Sequence, residues 1–179
     1  MLMEIWRNVV GYEGIYEVSN YGFIRTHKDK VTYTEMHKIR HWKQRVLKQK
    51  TDKNGYKRVS LWLNGKEKTW SVHRVVATAF LDKDGSNDII NHKDGNPSNN
   101  NVDNIEWCDY RHNLLHAFKN GLNNSRHKVE LINYETSDVY HFESKREASE
   151  FLGRNKGFVS NSLKLGKAIV GDYEILSRR

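Results

Sequence analysis

Apolar and polar residues alternate along this chain in short runs, and the clearest of these runs lies just past its middle. Ile89-Ile90 open a strand that ends on Asn91-His92. A stretch dense in Asp, Gly, Asn, Pro and Ser follows, and these residues favour turns, so the chain must fold back here. Ile105-Glu106-Trp107-Cys108 reads as a second short strand with Ile105 and Trp107 on one face. Asp109 suits an N-cap, and Leu114, Leu115 and Phe118 give the next segment an apolar helical stripe. The pattern predicts strand, long loop, strand, helix.

The flanks carry weaker periodicities. Ile15, Tyr16 and Val18 suit a strand, Asn20-Tyr21-Gly22 a turn and Phe23-Ile24-Arg25 a second strand, together a small β-unit packing aromatics. Tyr56 to Leu63 alternates in character and returns through Lys68, Trp70 and Val72; Asn64-Gly65 marks a two-residue hairpin turn. Val75, Val76, Ala79 and Phe80 recur at helical spacing. After a linker at Gly121 to Ser125, strands are expected at 129–132 and 139–142, with a turn at 135–138. Ser144 and Glu147 form a capping box for a helix carrying Ala148, Phe151 and Leu152 and ended by Gly153. A second helix is expected from about Lys156 to Leu165, and a last strand at Tyr173-Glu174-Ile175. Two short helices across a glycine-containing turn suggest a helix-turn-helix. The fold class is α+β, in three parts: a β-rich module over 1–72, a central ββα finger over 73–120 and a helix-turn-helix module over 121–179.

Composition narrows the function. No apolar run approaches the roughly 20 residues of a membrane span, and Met-Leu-Met-Glu-Ile-Trp lacks the charged start and apolar centre of a secretory signal. A cytoplasmic protein with no membrane partner is expected. The single cysteine, Cys108, excludes an internal disulfide and a multi-cysteine zinc site. The net charge is +8, and Arg25 to Lys50 alone holds nine basic residues against two acidic ones, a local surplus of +7. Such a surplus suits an anionic polymer, whose counterions are released when Lys and Arg replace them.

The stretch from Ile89 to Asn120 resembles the HNH nuclease motif, a ββα-metal finger, in the form found in phage and intron homing endonucleases. That resemblance rests on Asn91-His92-Lys93-Asp94-Gly95-Asn96, Asn104-Ile105-Glu106-Trp107 and Asn113. It implies that His92 is the general base, that Asn104 holds its imidazole in place, and that Asn91 and Asn113 ligate a metal ion. Trp6, Gly11-Tyr12-Glu13-Gly14, Tyr16-x-Val18-Ser19-Asn20 and Gly22 are similar to the N-terminal module of many such enzymes. His73-Arg74-Val75-Val76-Ala77 looks like the helix that precedes their finger. Phe142-x-Ser144-x-x-x-Ala148-x-x-x-Leu152-Gly153 resembles their C-terminal repeat.

The implied chemistry is hydrolysis of a phosphodiester in double-stranded DNA at a chosen sequence. An imidazole near neutrality can take the proton of water. Amide oxygens favour hard cations, so Mg2+ or Mn2+ is expected over zinc. Asn91 departs from the family, where Asp or His is common; a neutral amide should hold the ion weakly until DNA arrives. Expected DNA contacts are Arg25, Arg58, Lys68, Arg74 and Lys93, and, from the second helix of the C-terminal pair and the turn before it, Arg154, Asn155, Lys156, Ser160, Asn161 and Lys164. A single finger makes one cut, so a monomer on DNA would nick, while a dimer would cut both strands. A DNA-binding protein whose site has decayed, and a zinc-binding structural protein suggested by His112 and His116 at i, i+4, remain the alternatives.

Overall fold

A computed structural model describes residues 3–36, 38–83, 85, 88–120, 122 and 129–177, without the side chains of 118 and 119. The expected linker therefore falls outside the described residues save Leu122, as does the Phe118 side chain in the expected apolar stripe. The chain divides into two compact units, Met1–Asp109 and Tyr110–Arg179.

In the first unit, β1 (Trp6–Asn8), β2 (Tyr16–Ser19) and β3 (Ile24–Thr26) make an antiparallel sheet in that order. β4 (Val31–Thr34) and β5 (Lys38–His41) form a separate two-stranded ribbon. A second sheet holds β6 (Lys50–Thr51), β7 (Lys57–Leu63) and β8 (Lys66–Ser71). Its β7–β8 turn has φ of 50° at Asn64 and 75° at Gly65, the paired positive values that Asn-Gly adopts at low cost. α1 (Val72–Phe80) follows directly, and β9 (Ile89–His92) pairs antiparallel with β10 (Ile105–Cys108).

One apolar core joins these pieces. Val18 and Ile24 from the first sheet meet Leu61 from β7, Val72, Val76 and Ala77 from α1 and Ile105 from β10, all essentially buried. Each fully buried aliphatic side chain contributes roughly 1.5–3 kcal/mol. The N-terminal β-module and the two strands of the finger therefore share a single interior, and β9–β10 is held rigidly by the sheets that precede it.

The second unit contains α2 (Tyr110–Lys119) and a four-stranded antiparallel sheet. Its strands are β11 (Val129–Asn133), β12 (Val139–Phe142), β13 (Ile169–Val170) and β14 (Tyr173–Ser177), in the order β12-β11-β14-β13. α3 (Lys145–Phe151) and α4 (Phe158–Lys164) bury Ala148 and Val159 against Val129, Leu131 and Ile175. The Ser144 half of the capping box forms, Ser144 Oγ accepting from Glu147 N at 3.2 Å, whereas Glu147 Oε2 accepts from Glu143 N, one residue before the cap, at 3.0 Å. Gly153, at φ +65°, ends α3. α4 begins later than the periodicity implied, because Asn155 O accepts from Phe158 N and turns Lys156-Gly157 out of the helix. The helix pair does not stand alone: it rests on a sheet, and Ser149 Oγ accepts from Val159 N at 3.1 Å to fix the start of α4 to α3. Among the described residues no helix is long and apolar enough to cross a membrane.

Candidate active site

β9 brings Asn91 and His92 in side by side, 4% and 6% exposed. Pairing with β10 sets Glu106 opposite Asn91 and Ile105 opposite His92. Asn91 Nδ2 donates to Glu106 Oε1 at 2.9 Å. That bond fixes which end of the amide is which, so the Asn91 oxygen is the end turned away from Glu106 and open to a hard cation.

His92 is held by Asn100. The His92 Nε2 to Asn100 Oδ1 distance is 3.3 Å, and Asn100 Nδ2 donates to Ser98 O, also at 3.3 Å. An amide oxygen can only accept, so Nε2 carries the ring proton and Nδ1 keeps a free lone pair. Burial pushes the His92 imidazole below its usual value, against the Asn100 bond and the Asp94 charge, which raise it. The ring is therefore neutral at physiological pH.

This corrects the contact expected of Asn104, which does not reach the imidazole. Asn104 Oδ1 accepts from Asp94 N at 3.1 Å, and its Nδ2 donates to Asp94 Oδ1 and Asn99 O, both at 2.9 Å. Asn104 thus straps the two ends of the loop together, with Lys93 N donating to its backbone oxygen at 2.8 Å. The strap and the ring partner are four residues apart in a segment of repeated asparagines, which is why spacing alone did not separate them.

The loop is also braced from the N-terminal sheets. Asn20 O accepts from Val102 N at 2.8 Å, and Gly55 O accepts from Ser98 Oγ at 2.7 Å. Gly22 has φ +86°, and a Cβ there would lie 2.8 Å from Asn100 Cβ. Gly55 also has φ +86°, and a Cβ there would sit 2.9 Å from Pro97 Cγ. Both glycines permit backbone to press directly on the segment that carries Asn100.

Two further rings surround the base. His73, at the start of α1, packs edge-on against His92 with centroids 5.3 Å apart, and Tyr56 lies 5.3 Å from His73 and 5.9 Å from His92. Among the described residues His73 Nδ1 is buried without a hydrogen-bond partner. Burial first, and then the nearby His92, Arg74 and Arg58, push the His73 imidazole down to about 4.

The expected DNA-contacting residues divide into held and exposed. Arg25 is paired with Glu17 at 2.8 Å and lies over the Trp6 ring at 3.9 Å. Arg58 pairs with Asp52 at 2.9 Å and donates to the Ser71 hydroxyl. Arg74 donates to Asp88 O at 2.9 Å, and Lys93 Nζ to Asp103 O at 3.0 Å. These four serve the fold as they stand. Lys68, Arg154, Asn155, Lys156, Asn161 and Lys164 are exposed, and Ser160 is half-buried. Asn113 is on α2, in the second unit. Among the described residues no three His, Cys, Asp or Glu side chains cluster to hold a metal ion.

Residues 4–62 match the NUMOD4 motif and residues 71–115 match an HNH endonuclease model. The chain is 34% identical over 163 residues to an uncharacterized HNH endonuclease, L245, of Acanthamoeba polyphaga mimivirus, covering 90% of this chain but only 44% of that relative. It is 30% identical over 169 residues to the DNA endonuclease I-HmuI of Bacillus phage SP01, covering 89% of each. A solved structure described as "DNA binding and cleavage by the HNH homing endonuclease I-HmuI" superposes with a TM-score of 0.54 at 28% identity, covering 97% of this chain and 98% of the other.

Proposed function

The chain belongs to the HNH endonucleases, and from that premise we propose that it is a sequence-specific, divalent-metal-dependent DNA endonuclease of the homing type that nicks duplex DNA as a monomer. The observation that carries the reading is the buried, neutral His92, with Nε2 engaged by Asn100 and Nδ1 left to accept a proton, next along the strand from Asn91.

Nδ1 of His92 takes a proton from the water that attacks phosphorus, and Asn100 stabilises the imidazolium that results, because its oxygen already accepts from Nε2–H. Asn104 keeps the loop closed so that this pairing survives binding of DNA. Asn91 and, by its match to the family, Asn113 would hold Mg2+ or Mn2+. When bound, such an ion supplies stabilisation of the charge that develops on the phosphate and on the leaving oxygen. Exposed Lys68 and the exposed polar residues of α4 and its preceding turn set position and read bases.

The test is selection of cleaved sites from a random duplex library with Mg2+ or Mn2+, reading the strand and position of each cut. A recurrent sequence with one cut on one strand supports the reading. Specific binding with no cutting across divalent ions would leave only a DNA-binding protein.

A further inference from the structure

Away from the catalytic loop, the first unit contains a groove of about 850 Å³ between the β4–β5 ribbon and the β7–β8 hairpin. Lys30 lines it. This residue is only 7% exposed, yet among the described residues its ammonium makes no ion pair and no hydrogen bond. The charge is held over two aromatic faces instead, 3.9 Å from the Tyr16 ring centroid and 5.3 Å from that of Trp42. Burying an ammonium is costly unless an anion or several acceptors compensate it, and ring faces compensate only part of that cost. Facing the groove, this charge is open to an anion that enters it.

The rest of the lining says which kind of anion fits. Trp42 is oriented by its Nε1 donating to Thr32 Oγ1 at 2.9 Å, and Arg40 also lies over it, at 4.2 Å. Trp62, 51% exposed, and Tyr33, 65% exposed, present uncovered rings at the groove's edge, and exposed Arg45 adds a second positive charge to the lining. Aromatic faces beside cations, in an open groove, are the pattern that takes an unpaired nucleotide: the base stacks on a ring and the phosphate meets a cation. A base within an intact duplex cannot offer its face in this way.

We propose that this groove binds a short single-stranded segment of DNA, with a phosphate on Lys30 and Arg45 and bases stacked on Trp62 and Tyr33. It is a second nucleic-acid site, distinct from the phosphodiester site at His92. Its use would be to hold a strand that has left the helix.

The test uses the full chain, without divalent ions, and an eight-residue oligothymidylate titrated against tryptophan fluorescence. Saturable quenching is expected. Lys30→Met, which keeps the stem and its packing, and Trp62→Ala, at an exposed position, should each weaken binding about tenfold. Thermal melting of both variants checks that they are folded. An oligomer of the same length with abasic sugars should bind at least about tenfold more weakly. Absence of quenching, equal affinity for the abasic oligomer, or wild-type affinity in both folded variants would each overturn the proposal. Since no cutting is involved, failure here is separable from failure of the nuclease reading, which rests on cleavage of duplex DNA.

Discussion

The loop from Lys93 to Asn104 and the α3–α4 pair solve opposite problems with similar residues. In the loop, polar side chains turn inward on one another. Asp94, Asn96, Asn99, Asn100, Asn101 and Asn104 spend their hydrogen bonds on backbone and neighbours, and the result is one imidazole held in one tautomer. In the helix pair an apolar floor of Val129, Leu131 and Ile175 does the holding, and Arg154, Asn155, Lys156, Asn161 and Lys164 face water. Polar groups satisfied inside the chain fix chemistry, while polar groups left in solvent are available to a partner. The same contrast separates Arg25 and Arg58, locked in ion pairs, from exposed Lys68.

The sharpest way to break that comparison is a pair of variants. His92→Ala should cut the single-turnover cleavage rate by about 10³-fold with DNA affinity nearly unchanged. Lys164→Ala should do the reverse, weakening binding a few-fold, more at low salt, with the saturated cleavage rate unchanged. Gel-shift titrations and saturating-enzyme kinetics on one target measure both. If His92→Ala loses binding as steeply as cleavage, the division of labour is wrong.

Within the loop, Asn100 and Asn104 should also part company. Asn100→Ala is expected to slow cleavage about 10–100-fold with only a small change in melting temperature, since it breaks two weak bonds, one to the ring and one to Ser98 O. Asn104→Ala should destabilise the fold by about 1–3 kcal/mol, because it frees the loop's two ends together. Calorimetry beside kinetics distinguishes them; equal effects on both readouts would erase the distinction between ring partner and strap.

Asn91→Ala should raise the Mg2+ or Mn2+ concentration for half-maximal cleavage about tenfold. Asn91→Asp should be worse folded than Asn91→Asp combined with Glu106→Gln, since the single change sets two carboxylates where an amide now donates to one. An unaltered metal requirement in Asn91→Ala would remove that residue from the ion's ligands.

The smallest expected effects concern pH. The lowered His92 value means cleavage persists below the usual imidazole range and is lost only as pH falls through the folded value. For stability, the unfolded chain binds a proton at His73 near the ordinary imidazole value of 6.5, whereas the folded chain does so only near 4. Stability from keeping this ring neutral is therefore complete above about 6.5 and declines as pH falls towards 4. Wild-type melting temperature should fall over that window by a few degrees more than that of His73→Phe, which cannot take the proton.

Much of this was readable from residues alone, and the exceptions have physical causes. β9, β10 and the hairpin at Asn64-Gly65 announced themselves because each has one buried face or a turn that demands positive φ. The α3 cap did so because Ser144 and Glu147 act over three residues. The β4–β5 ribbon was missed: Val31, Tyr33 and Ile39 are exposed, so no buried face imposes a period of two. Lys30 was counted only within the basic surplus of Arg25 to Lys50, and its burial depends on Tyr16 and Trp42, 14 and 12 residues away in sequence. Asn100 sits in a run of three asparagines, and which of them meets the ring depends on tertiary contacts such as the close approach of Gly22. His73 and Tyr56 reach His92 through tertiary packing, which no local pattern encodes.

A long-range proton–nitrogen spectrum of the imidazoles at neutral pH, with His92 assigned by comparison with His92→Ala, tests the centre of this account. The geometry predicts a neutral ring protonated at Nε2 with an unprotonated Nδ1, and loss of that preference in Asn100→Ala. A proton on Nδ1, or a charged ring at that pH, would contradict it.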